Sequence, residues 1–229
     1  MRNTSFIIVF LILASCTTQR FATTSNLSLK PLNNDTVQID KYHAKVNFIR
    51  LNNQNYEFSV FIKNNSKDTV SINPSLFSYN YIPNINETNH HLIYSINPKE
   101  RIKKLESQKD SLMKEKNPYS LAGKSTKEIV KNGLIQGTVA TLFGQDPKKW
   151  ESQREEDEYY WEQNHNYQLN KMEKELDFWN NDALLPQVVA PNNKTSGKVL
   201  FPVSMNVKAI QVRILIQNDT LNYRFIQSD

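Results

Sequence analysis

The sequence predicts a mixed α+β fold, an antiparallel β-sandwich interrupted by a helical insertion. Three observations carry this reading. Apolar and polar residues alternate through residues 42–97 and again through 183–229, which marks strands with one face in a core and the other in water. Between these flanks, residues 98–182 change to a 3,4 apolar spacing with helix-start signals. Neither flank has enough strands to close a core alone, so the two must share one.

Residues 1–15 read as an export leader. Arg2 gives a positive start, Phe6 to Leu13 an apolar run, and Ala14-Ser15 the small residues a peptidase needs before a cut. The run is too short to span a bilayer. Leu13-Ala14-Ser15-Cys16 resembles the lipobox of bacterial lipoproteins, which implies that residues 1–15 are removed and that Cys16 is acylated as the first mature residue. By the same resemblance, Thr17 stands where an aspartate retains lipoproteins at the inner membrane in the best-studied sorting systems. That implies an outer-membrane lipoprotein, and with no acidic run after Cys16, one facing the periplasm. Cys16 is the one cysteine of the 229 residues, so no internal disulfide is available and stability must come from a core.

Residues 16–41 are rich in Ser, Thr and Asn, lack apolar periodicity, and read as a lipidated flexible tether. A flexible chain of that length holds its domain roughly 25 to 30 Å from its anchor. The folded part is then expected to begin near Tyr42.

In the first flank Tyr56, Phe58, Val60 and Ile62 point one way, and Glu57, Ser59 and Lys63 the other, towards water. Asn64-Asn65-Ser66-Lys67-Asp68 supplies turn chemistry, followed by Val70 and Ile72 and, after Pro74, by Phe77, Tyr79 and Tyr81. In the second flank Gly197 precedes Val199, Phe201 and Val203. The cleanest alternation is Ile210, Val212, Ile214 and Ile216, then a hairpin turn at Asn218-Asp219 and a return through Leu221, Tyr223 and Phe225. Together the flanks offer about seven to nine strands, a number that suits a two-sheet sandwich.

The insertion reads as helices at 98–116, 126–143 and 147–180. Asn97-Pro98-Lys99-Glu100 and Ser125-Thr126-Lys127-Glu128 are start signals, and Asp146-Pro147 opens the third helix, about 50 Å long. Ile102, Leu105, Lys109 and Leu112 make one seam, and Leu169, Met172, Leu176 and Trp179 another. Residues 98–117 carry seven basic and four acidic side chains, and 146–180 five basic and ten acidic, so the first and third helices are expected to pair antiparallel, as a hairpin or a three-helix segment.

The lipobox, the polar tether, the strand pair around an Asn-Asn-Ser turn and the late Gly197-Lys198-Val199-Leu200-Phe201-Pro202-Val203 segment together resemble small bacterial lipoproteins with an immunoglobulin-like domain. The resemblance covers about half of the chain. It implies an immunoglobulin-like sandwich and a non-catalytic binding or scaffolding role, with the membrane and another envelope protein as partners.

The net charge of +5 is dispersed, and no arginine-rich run or aromatic-basic platform points to nucleic acid. No Gly-x-Ser-x-Gly elbow, phosphate-cradling glycine loop or His-Glu-x-x-His is present, so no enzyme class or cofactor is expected. Glu-x-x-His occurs at Glu87/His90 and Glu162/His165, a spacing that aligns two metal ligands on a helix, but only the second pair falls on an expected helix, and no metal site is assigned. A small-ligand or metal-binding protein using loops around His90-His91 is the second reading, and a hydrolase without a readable motif the third.

Three further features bear on function. Gly133 and Gly137, four apart in an apolar helix, suit close helix packing. Glu155-Glu156-Asp157-Glu158-Tyr159-Tyr160-Trp161-Glu162 reads either as a solvated acidic face with an aromatic packing stripe or as a docking surface for a basic partner, anchored by Tyr160 and Trp161. Finally, Asp-Ser/Thr-apolar tripeptides place Thr36, Thr69, Ser111 and Thr220 in a pattern that resembles the O-glycosylation acceptor of exported proteins in one Gram-negative group. A turn entering a strand has the same composition.

Overall fold

Alternating burial runs through the strands of the computed structural model, which describes residues 28–32, 36–39, 41–52, 54–82, 91–120, 147–203 and 209–228. These residues hold eleven strands: β1 (Ser28–Pro31), β2 (Thr36–Ile39), β3 (Tyr42–Asn52), β4 (Asn55–Asn64), β5 (Val70–Ile72), β6 (Ser78–Tyr81), β7 (Ile93–Tyr94), β8 (Gln187–Val189), β9 (Lys194–Pro202), β10 (Ala209–Ile216) and β11 (Asp219–Ser228). Two described helices, α1 (Pro98–Lys114) and α2 (Pro147–Asp177), lie between β7 and β8. The fold is mixed α+β.

All strand pairs in the ladders are antiparallel. One sheet has the order β2-β3-β4-β9, and the other runs β1-β11-β10 with both β5 and β6 along the far side of β10. These two strands are halves of one line, broken by a 3-10 turn at Pro74–Leu76, where proline has no N–H to offer a ladder. On their outer side, β8 pairs with β5 and β7 with β6.

The two sheets pack face to face. Phe58 of β4 lies 5.1 Å from Phe225 of β11, and Tyr56 of β4 lies 5.7 Å from Tyr79 of β6, ring centre to ring centre. Ile210, Val212, Ile214 and Ile216 of β10 and Phe58, Val60 and Ile62 of β4 are fully buried between them. Each such side chain contributes about 1.5 to 3 kcal/mol of burial.

α1 starts where its signal lies, Asn97 Oδ1 accepting from Lys99 N at 3.1 Å with Pro98 in the first turn. The two helices run antiparallel and share the expected seam, in which Leu105 and Trp179 are buried and Ile102, Leu112, Leu169, Met172 and Leu176 half-buried. Arg101 Nε donates to Glu175 at 2.8 Å, and Lys109 pairs with Glu173 at 2.8 Å. Such partly exposed pairs contribute about 0 to 1 kcal/mol each and act mainly in fixing register.

Both ends of the insertion are attached to the outer edge of β9. Ile96 N donates to Leu200 O at 2.9 Å, and Leu184 N to Lys198 O at 2.8 Å beside a parallel bridge from Ala183 to Lys198. An open strand edge, a template for unwanted pairing, is thereby covered. Leu200 is buried on the outside of its sheet against Leu105, Trp179 and Ala183, so the base of the hairpin has a small core of its own.

Several expectations are corrected. Strands begin at Ser28, not near Tyr42: β1 pairs with β11 and β2 with β3, inside the stretch 16–41 read as tether. Each is four residues long, and in β1 only Leu29 is buried, so main-chain pairing rather than a run of apolar alternation defines that strand. The last hairpin turns at Gln217-Asn218, one residue earlier than expected, with Gln217 at φ 54°. Helical bonding in α2 gives way at Phe178–Asp182 to a wide π turn, Ala183 N donating to Phe178 O at 3.0 Å. The helix expected at 126–143, with Gly133 and Gly137, lies outside the described residues.

Core tyrosines are expected to make the fold alkali-sensitive. Burial raises the Tyr56 phenol above its usual 10.0; burial, then the charges of Asp219 and Asp68, raise Tyr42 in the same direction. The unfolded chain therefore loses these protons first, and the stability they contribute is present below about pH 10 and is lost as pH rises through the folded values. Thermal midpoints between pH 8 and 11 are expected to fall beyond about pH 10, and less steeply in Tyr56→Phe. An unchanged slope in that variant refutes the assignment.

Candidate functional site

The seam of α2 settles which of its side chains meet water. Trp161, His165, Gln168, Leu169 and Met172 are half-buried along one side of α2, and the positions opposite them are exposed. Tyr159, Tyr160 and Tyr167 there are 58%, 60% and 63% exposed. Tyr160 and Tyr167 are seven residues apart, two turns or about 10.5 Å along the axis. The rings of Tyr159 and Tyr160 meet edge to face at 5.8 Å.

The charge around Tyr159 and Tyr160 is predominantly negative, while Lys171 stands one turn from Tyr167. Residues 151–162 hold six acidic side chains and a single basic one, Arg154. Arg154 Nη1 bonds Glu158 at 2.7 Å and the carbonyl of Tyr119 at 3.1 Å, holding the segment after α1 against α2. Glu151, Glu155, Glu156 and Glu162 remain exposed.

Of the two anchors expected here, Tyr160 points outward. Trp161 is half-buried, its ring stacked on His165 at 4.4 Å and 18°. That stacking accounts for His165 on the seam, while Glu162 faces solvent. Among the described residues no three His, Cys, Asp or Glu side chains cluster as metal ligands. Glu87 and His90 lie outside those residues, and His91 is exposed.

The tripeptide acceptors are scattered. Thr69 is exposed at the entry to β5, its carbonyl taken by Gln217 Nε2 at 3.2 Å; Ser111 is exposed on α1, and Thr220 is exposed on β11 opposite Leu215. Thr36 sits in β2 opposite Lys45, within a ladder rather than a tether. Cys16 lies outside the described residues.

One charged group escaped the sequence reading. Glu57, expected to face water, is fully buried on the outer side of β4, beneath the base of the hairpin. Arg50 Nε donates to its Oε2 at 2.8 Å, and Lys198 Nζ lies 3.6 Å from Oε1, which has no hydrogen-bond partner. Lys198 also reaches Asp182 at 2.8 Å and stands 5.5 Å over the Phe178 ring. The hydrogen bond to Asp182 raises the Lys198 pKa most; burial opposes it, and the charges of Asp182 and Glu57 add to it. This chain of charges links β3, β4 and β9 to the end of α2. Asp182 is the last residue of the π turn, which the sequence does not signal.

No helix among the described residues is long and apolar enough to cross a membrane. Comparison of the chain with protein-family models, curated proteins and solved structures finds no match.

Proposed function

We propose that this is a lipid-anchored, non-catalytic protein of the bacterial envelope, in which an immunoglobulin-like sandwich holds out a helical hairpin whose acidic tyrosine face docks a basic partner in the periplasm. The observation that carries the reading is the outward set Tyr159, Tyr160 and Tyr167. The hairpin has its own seam and does not need these rings for packing. Tyrosine offers a large, rigid contact area at small entropic cost, and is enriched among residues that dominate binding. The surrounding carboxylates favour encounter with a basic surface and disfavour an acidic one.

The anchor follows from Leu13-Ala14-Ser15-Cys16. Eleven residues, or twelve Cα-to-Cα steps, separate Cys16 from Ser28 in β1, so the sandwich stands no more than roughly 40 Å from an acylated Cys16. α2, with 31 residues, is about 46 Å long and gives the docking face a comparable reach.

A photo-crosslinking residue at Gln163, beside the tyrosines, tests the reading in intact cells. One envelope protein is expected to be captured. Capture should fall at least about tenfold when Tyr159, Tyr160 and Tyr167 are all changed to Ser, and weaken as salt rises. Cys16→Ser should move the chain off the membrane. Equal capture by the triple variant removes the docking role, and membrane retention of Cys16→Ser removes the anchor.

A further inference from the structure

We infer that the outer face of the seven-stranded sheet carries a binding groove for a small apolar carboxylate, centred on Arg213. The groove arises from the broken strand. β5 meets β10 only at Ile72 opposite Ile216, and β6 only along Ile210 to Arg213, so the 3-10 turn between them leaves the outer side of Leu215 open. The opening holds about 180 Å³. Arg213, Leu215, Ser78 and Thr220 form its floor, and Leu76 and Tyr94, both exposed, rise beside it.

Arg213 has the wrong company for a structural arginine. It stands between Asn222 on one strand and Ser78 on the other, and makes no hydrogen bond or ion pair with a described residue. Asn222 Oδ1 is already engaged by Gln211 Nε2 at 2.9 Å, and none of the described residues lining the groove is acidic. A half-buried guanidinium has given up part of its hydration, and its planar fork of donors matches a carboxylate. The Ser78 hydroxyl, directly across the ladder, offers a further donor.

The rest of the groove sets the body of the ligand. Leu76, Leu92, Leu215 and Tyr94 supply its apolar lining, and the volume is close to the roughly 150 Å³ of an engineered cavity that takes one benzene ring. The class that fits is a monocarboxylate with an aromatic ring or branched aliphatic chain of about six to nine heavy atoms. This site is on the sandwich, and does not depend on the tyrosine face of the hairpin.

Titrating the full chain in detergent with benzoate, and separately with its neutral isostere benzamide, tests the groove by protein NMR. Benzoate is expected to shift the amides of Ser78, Arg213 and Leu215 with a Kd in the millimolar range, as suits about nine heavy atoms in an open site. Benzamide should bind at least about tenfold more weakly, and Arg213→Gln should weaken benzoate by a similar factor. Leu215→Trp, which fills the opening and keeps the arginine, should abolish the shifts. Both positions face away from the core, and unchanged thermal midpoints confirm the variants as folded. Equal affinity for the two probes, shifts confined to other residues, no effect of Arg213→Gln, or no shift at all overturns the inference.

Discussion

Gly197→Ala is expected to lower stability by about 2.5 to 4 kcal/mol, more than an added methyl in a strand ordinarily would. Gly197 lies inside β9 opposite Val60 of β4, and a Cβ there would stand 2.6 Å from the Cα and N of Leu184 and 3.0 Å from the carbonyl carbon of Ala183. All three are main-chain atoms, so no side-chain rotation relieves the overlap. Either β9 moves off β4, or the segment returning from the helices lifts off β9. Lifting breaks the bond from Leu184 N to Lys198 O, worth about 1 kcal/mol, and exposes Leu184, buried in the shared core, for a further 1.5 to 3 kcal/mol. At about 2 to 4 °C per kcal/mol for a domain of this size, the thermal midpoint should drop by roughly 5 to 16 °C. Proteolysis near Ala183 should accelerate in parallel, whereas Ser196→Ala, at the exposed position alongside, should change little. A fall of less than about 1 kcal/mol in Gly197→Ala would mean that the insertion is not held against this edge.

What could be read in the sequence follows the range of the forces involved. The alternation of β4 and β10, the cap at Asn97 and the two helical seams are local patterns that mark the flanks and the first and last helices of the insertion, and the opposite charge balance of those two helices gives their antiparallel pairing. β1 and β2 are not evident in the sequence because pairing to β11 and β3 makes them strands, and four residues each, with Leu29 in one and Val37 and Ile39 in the other, are too short an alternation to mark them. Glu57 illustrates the same limit from the other side. Its place in the alternation points it away from the core correctly, but not into water, because Arg50 and Lys198 pair with it there, Lys198 also being held by Asp182 of the π turn, more than a hundred residues later. Tyr159 and Tyr160 were visible as an aromatic pair, while their exposure, the inward turn of Trp161 and the addition of Tyr167 to the same face depended on which side of α2 meets α1. The Arg213 groove had no local signal. It exists because β5 and β6 share one side of β10 and leave a gap between them.

The second large effect is expected at Asn64, a fully buried side chain with every polar valence used. Nδ2 donates to the carbonyls of Asp68 at 2.8 Å and Val189 at 3.1 Å, and Oδ1 accepts from Ser66 N at 2.9 Å and Ser66 Oγ at 2.7 Å. Its main chain is bonded to the Asn192–Asn193 turn in both directions, at 2.8 and 2.9 Å. One residue thus joins the end of β4 in one sheet to β8 in the other, at the point where the chain re-enters the sandwich after the helices. Asn64→Leu keeps the approximate volume and strands the carbonyls and the Ser66 amide without partners, for about 2 to 4 kcal/mol. Asn64→Asp separates chemistry from shape. It retains the acceptor for Ser66 but turns a carboxylate oxygen towards two carbonyl oxygens, so near neutral pH it should destabilise at least as much as Leu. Burial and those carbonyls favour the protonated acid, whose hydroxyl restores one donor, so the folded-state pKa of the new group must lie above its unfolded value near 4. Stability contributed by that proton is present below about pH 4 and is lost as pH rises through the folded value. The gap between Asn64→Asp and the parent in denaturant midpoint should therefore narrow on acidification, while the gap for Asn64→Leu stays constant. A parallel pH dependence of the two variants, or an Asp variant as stable as the parent at pH 7, would remove Asn64 from the role of joining the sheets.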